Sequence, residues 1–193
     1  MIRGVRWLSA AADFAALRFG CNAAEASTFE ARLHGRWVPV PEVASRVCDS
    51  LQRRLALSEA EIKKLVLAKP QVLGYSYESK IAPSLAALQN RLGLSESELK
   101  RVILAMPSVL SYSYEANVEA KLAFLQHELE LSDEQLREKV VAFPMLLGYS
   151  LERRYRPRLR LCRKAGKPLR WVLDRASLTD DKFDRLVSGG GSS

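Results

Sequence analysis

Histidine and cysteine are scarce in this chain, at two and three among 193 residues. His34 and His127 lie far apart and in different settings. Cys21, Cys48 and Cys162 have neither paired metal-ligand spacing nor the density of a disulfide framework. No glycine-rich phosphate loop occurs. The acidic residues gather at helix starts, where capping and the helix dipole account for them. No catalytic residue, metal or cofactor is therefore expected, and the chain reads as a non-enzyme. No apolar run is long enough to cross a bilayer, so membrane insertion is not expected either.

What is present is periodic. A unit recurs every 37 residues around Pro70 in KPQVLGYSYE, Pro107 in MPSVLSYSYE and Pro144 in FPMLLGYSLE. A period in that range marks stacked helical units, each burying its apolar face against its neighbours. Each unit opens on a matching start signal: LSEAE, LSESE and LSDEQ, beginning at Leu57, Leu94 and Leu131. Ser58, Ser95 and Ser132 can cap the helix, and Glu61, Glu98 and Gln135 complete a capping box. Ile62, Leu65 and Val66, matched by Leu99, Val102 and Ile103, give the helix one apolar side. Each proline then ends it, because proline has no amide to donate.

The turn that follows carries an apolar pair: Val72 and Leu73, Val109 and Leu110, or Leu146 and Leu147. Ser76, Ser113 and Ser150 fit a second N-cap. The second helix carries Ile81, Leu85, Leu88 and Leu92, matched by Val118, Leu122, Leu125 and Leu129. Pro83 and Pro157 sit near its start and should bend or offset it; Ala120 holds that position in the middle copy. Upstream, Leu51, Gln52, Arg54 and Leu55 match Leu88, Gln89, Arg91 and Leu92, so a further second helix precedes the first full unit. Trp37 to Glu42 takes its turn region, and the first half of that unit is not recognisable. The expected fold is all-α, a helical-repeat solenoid of about three and a half units. It is divided into an N-terminal extension (1–36), a repeat region (37–187) and a flexible tail (188–193).

The net charge of +8 is unevenly placed. Residues 151–175 carry ten Lys or Arg against only Glu152 and Asp174, whereas residues 1–150 are nearly balanced. Leu151, Tyr155, Leu159 and Cys162 follow one helical face. Arg153, Arg156, Arg160, Arg163 and Lys164 surround it, with Arg154 and Arg158 as a neighbouring row. Lys167 and Arg170 continue past the turn at Gly166. Guanidinium groups suit phosphate through charge and forked hydrogen bonds, so these nine residues are the candidate nucleic-acid contacts, acting on phosphate rather than on bases. Tyr75, Tyr112 and Tyr149 recur at the inter-helix turn, where packing explains them best. Trp171 is the better aromatic candidate for an interface.

The repeated cap, apolar helix, proline, apolar pair and second cap resemble the mitochondrial transcription termination factor family, the mTERF proteins, over roughly residues 37–187. LTDDKFDRLV, with Leu178, Phe183 and Val187, is similar to that family's C-terminal module. The resemblance implies a stack of three-helix motifs in a short member of the family, acting on DNA or RNA in mitochondria or, alternatively, chloroplasts. Arg3, Arg6, Arg18, Arg32 and Arg36 among alanines and serines are compatible with a transit peptide, diluted by Asp13, Glu25 and Glu30. A structural or assembly subunit of an organellar ribosome, contacting RNA and protein together, is the alternative. A purely protein-bound scaffold is a third.

Overall fold

The computed structural model describes residues 10–33 and 40–189. The expectations for Arg3, Arg6, His34, Arg36, Trp37 to Pro39 and the tail beyond Gly189 lie outside the described residues. Within them, regular structure is helical throughout: α1 Ala10–Phe19, α2 Ala23–Leu33, α3 Pro41–Leu55, α4 Glu59–Ala68, α5 Ala82–Leu92, α6 Glu96–Ala105, α7 Ala120–Leu129, α8 Asp133–Ala142, α9 Arg156–Lys164, α10 Trp171–Asp174 and α11 Asp180–Ser188. The all-α helical-repeat fold is as expected. Two compact units are resolved. The first comprises the described residues of Met1–Gln89 with Ser95–Ser111, the second Asn90–Leu94 with those of Tyr112–Ser193.

The first helix of each repeat is built as its sequence dictates. Ser58, Ser95 and Ser132 accept the backbone N–H of Glu61, Glu98 and Gln135, and those side chains accept the cap residue's own N–H. A cap of this kind contributes about 1 kcal/mol. A 3₁₀ turn then starts at each proline, Pro70–Gly74, Pro107–Ser111 and Pro144–Gly148, and buries the apolar pair. In the first unit α2 packs on α4 and α4 on α6, while the turns at Pro70–Gly74 and Pro107–Ser111 meet. Ile62, Leu65, Leu73, Ile81, Leu85 and Leu88 are buried there. Burial of a side chain of that size stabilises by roughly 1.5–3 kcal/mol.

The second helices begin at the expected caps, but their first turns are π-wound: Tyr77–Ile81, Tyr114–Glu119 and Leu151–Tyr155. Ile81, Val118 and Tyr155 donate to the carbonyls of Ser76, Ser113 and Ser150, five residues back. The offset expected from Pro83 and Pro157 is thus also found in the copy with Ala120, so it belongs to the repeat and not to the proline. At the far end, Ala56, Gly93 and Glu130 hold one register position with φ of 48°, 60° and 51°. Only the glycine adopts that left-handed conformation without steric cost.

The structure departs from the expectations at four points. Pro41 and Glu42 belong to α3 and not to a turn. The first half of the upstream unit exists: it is α2, where Asn22 Oδ1 accepts from the Glu25 N–H and Glu25 Oε2 accepts from the Asn22 N–H, a reciprocal cap. Phe14 on α1 and Phe29 on α2 are buried, so the extension carries core residues. At the other end, helix α11 includes Ser188, the first residue assigned to the tail. Its Phe183 and Val187 are buried with Tyr155, Leu159 and Cys162 of the second unit.

Candidate nucleic-acid interface

Most cations of the repeat array are already answered. Gln52, Gln89 and Gln126 recur at the 37-residue period, and each donates to a carboxylate seven residues on: Glu59 at 2.9 Å, Glu96 at 3.0 Å and Asp133 at 2.8 Å. An arginine closes each rung. Arg18 donates to Gln52 and Glu59, both at 2.9 Å. Arg54 donates to Gln89 and Glu96, both at 2.5 Å. Arg91 donates to Gln126 at 2.5 Å and reaches Asp133 at 3.4 Å. The Gln52 and Arg18 hydrogen bonds hold the Glu59 carboxylate below its ordinary pKa, and those of Gln89 and Arg54 do the same to Glu96. Each guanidinium is thereby neutralised within the fold.

One period further, the pattern inverts. Glu128 stands where Arg54 and Arg91 stood, Arg163 where the glutamines stood, and Arg170 where the acids stood. Arg163 donates to Glu128, while Arg170 is exposed and, among the described residues, without an ion pair. The surplus positive charge begins where the neutral rungs stop.

The nine candidate residues separate into two groups. Arg153, Arg156, Arg160 and Arg163 are exposed at intervals of three and four residues, and exposed Lys164 follows directly. Among the described residues, Arg153, Arg160, Lys164 and Arg170 have no side-chain hydrogen bond or ion pair. Arg156 donates to Glu152 at 2.8 Å and lies over Phe124, an exposed arrangement that a phosphate can displace. Half-buried Lys167 lies 5.8 Å from the Trp171 ring, whose face Arg175 covers at 4.1 Å.

Arg158 is not an anion contact. It is 2% exposed, donates to Asp180 at 2.7 Å and to the carbonyls of Arg175 and Leu178, and lies 4.4 Å over Phe183. Its guanidinium ties α9 to α11 and is spent on that contact. Arg154 also turns inward, 4.2 Å over Tyr149 and donating to the Ala176 carbonyl. Position explains Arg158: Tyr155, Arg158, Leu159 and Cys162 fall at i, i+3, i+4 and i+7, the spacing of a buried stripe, and Arg154 flanks it.

The remaining sequence candidates take packing positions. Lys80 covers the Tyr75 ring at 4.5 Å, just as Arg154 covers Tyr149. Cys21, Cys48 and Cys162 are buried thiols, and burial pushes Cys48 up to about 12. His127 is exposed beside Glu128. Among the described residues no cluster of His, Cys, Asp and Glu could hold a metal, and no helix is long and apolar enough to cross a membrane.

The helix, proline turn and capped second helix, repeated with this spacing, are those of a known family, whose model, mTERF, matches residues 43–184. The chain belongs to the mTERF family. Among curated proteins none matches the chain. The mTERF match covers the two neutral rungs closed by Arg54 and Arg91, the inverted rung and the whole of the cationic segment.

Proposed function

We propose that this mTERF protein binds nucleic acid by its phosphate backbone and acts, without catalysis of its own, in organelle gene expression. The contact is made by Arg153, Arg156, Arg160, Arg163, Lys164, Lys167 and Arg170. One observation carries the reading: the segment that holds nearly all the net charge presents Arg153, Arg160, Lys164 and Arg170 exposed and without internal partners among the described residues. Such residues gain charge-assisted bonds to phosphate and release counterions from the strand. Base reading is not part of the proposal, since the stripe offers cations and no free aromatic face. Family membership supports an organellar setting, the mitochondrion first and the chloroplast as alternative.

The test is a titration of the full chain against labelled RNA and DNA, single- and double-stranded, at rising salt. Affinity should fall linearly on a log–log plot, with a slope near 0.7 to 0.9 per neutralised phosphate. A folded chain that binds none of the four probes at low salt would overturn the reading. Co-purification with ribosomal or other organellar proteins in that case would favour a subunit held by protein contacts.

A further inference from the structure

Two buried cations occupy one register position of the repeat. Arg158 lies 37 residues after Lys121, and both side chains are almost fully enclosed, at 2% and 4% exposure. Arg158 is answered by a carboxylate, Asp180 at 2.7 Å. Lys121 is not. Its Nζ donates to the Leu147 carbonyl and to Asn117 Oδ1 at 3.3 Å, and no described carboxylate lies within ion-pair distance. Burial without a counter-ion lowers its pKa to about 8. A buried ammonium with only neutral acceptors is costly unless a charge of opposite sign arrives.

Lys121 also lines a groove of about 460 Å³ within the second unit, together with Tyr112, Asn117, Tyr149, Ser150 and Arg153. Arg153 is exposed and without an internal partner among the described residues, and it belongs to the stripe described above. Glu152 is the one carboxylate on the groove, and it accepts from Arg156 Nε at 2.8 Å. The helical segment beginning at Leu151 starts on this groove, so its positive dipole end adds to the two cations. We propose that the groove seats one phosphate group of the bound strand, with Lys121 beneath it and Arg153 at its rim. The inference rests on the nucleic-acid reading and adds to it a specific anchoring point. The exposed stripe follows the backbone, whereas this groove holds a single phosphate against a buried amine.

The experiment uses the full chain with lysine Cε labelled with carbon-13, so that each ammonium titrates visibly by NMR. Inorganic pyrophosphate is the first probe and a single-stranded uridylate oligonucleotide the second. Pyrophosphate should move the Lys121 midpoint upward from about 8, and should do so equally in a variant carrying R160Q, K164Q and R170Q. Lys121→Met should weaken oligonucleotide binding by about tenfold and make the salt slope shallower by about one. If the midpoint ignores pyrophosphate and Lys121→Met leaves the slope intact while the wild-type chain still binds the oligonucleotide, the groove proposal is wrong and the nucleic-acid reading survives. If pyrophosphate moves the midpoint in a chain that binds no oligonucleotide, the phosphate site stands and the nucleic-acid reading falls.

Discussion

The rungs closed by Arg54 and Arg91 and the rung at Glu128 occupy the same register of one repeat, yet they treat charge in opposite ways. In the first two, arginine, glutamine and acid satisfy one another, so that each rung carries one positive and one negative charge. In the last, Glu128 meets Arg163, and the acid's place is taken by Arg170, which has no internal partner among the described residues. Exchanging the three side chains of one rung of the repeat therefore turns a neutral rung into one that carries surplus positive charge. The same lesson holds on the buried face, where Arg158 has Asp180 and Lys121 has no carboxylate.

The largest expected effect breaks the buried half of the comparison. Arg158→Met removes the bonds to Asp180 and to the carbonyls of Arg175 and Leu178. Because Asp180 is itself 56% exposed, the loss should be about 2–3 kcal/mol, below that of a fully enclosed pair. Chemical denaturation reads it, and the folded fraction should retain its oligonucleotide affinity.

Next comes a swap of the last rung into the neutral pattern, Glu128→Arg with Arg163→Gln and Arg170→Glu. The net charge changes by only one, so a loss of binding reports where the charges sit. Oligonucleotide affinity should drop on the order of tenfold, with a shallower salt slope, as read by fluorescence anisotropy. Arg91→Ala opens a neutral rung instead. It should cost about 1 kcal/mol of stability in thermal unfolding and leave binding unchanged.

Smaller still, Glu130→Gly relieves a left-handed residue at the position where Gly93 already stands. It should stabilise by about 0.5–1 kcal/mol, seen as a rise in Tm of a few degrees. Lys121 adds a pH effect of known sign. Its folded pKa, about 8, lies below the ordinary 10.5, so the unfolded chain binds more protons between those values. Stability relative to Lys121→Met should rise with pH across that window and be flat below it.

Much of the architecture could be read from the sequence because it rests on local chemistry. Ser58 with Glu61, the amide-free Pro70 and the apolar pair Val72–Leu73 each act within a few residues, and the period multiplies the signal. The Asn22–Glu25 cap was equally local but stood one residue out of phase, with Asn in place of Ser. The site was less legible. Helical spacing puts Arg158, and not Arg160, in line with Tyr155 and Cys162, but residue type marks both arginines as polar, whereas a long guanidinium can occupy a buried stripe when a carboxylate and carbonyls await it. Those acceptors, Asp180 and the Leu178 carbonyl, lie at least 20 residues away and are set by the packing of α11. The rungs were hidden for the same reason: Arg54 to Gln89 and Arg54 to Glu96 are contacts 35 and 42 residues apart.

In the proposed function, the exposed and internally unpaired cations Arg153, Arg160, Lys164 and Arg170, and not the array at large, hold the strand. Salt-dependent binding of one labelled oligonucleotide, compared between the wild-type chain and a variant carrying R153Q, R160Q, K164Q and R170Q, tests it most directly. Helicity and Tm should be unchanged, the affinity lower by on the order of 100-fold, and the log–log salt slope shallower by roughly one for each cation removed. A variant that stays folded and keeps both the wild-type affinity and the wild-type slope would contradict it.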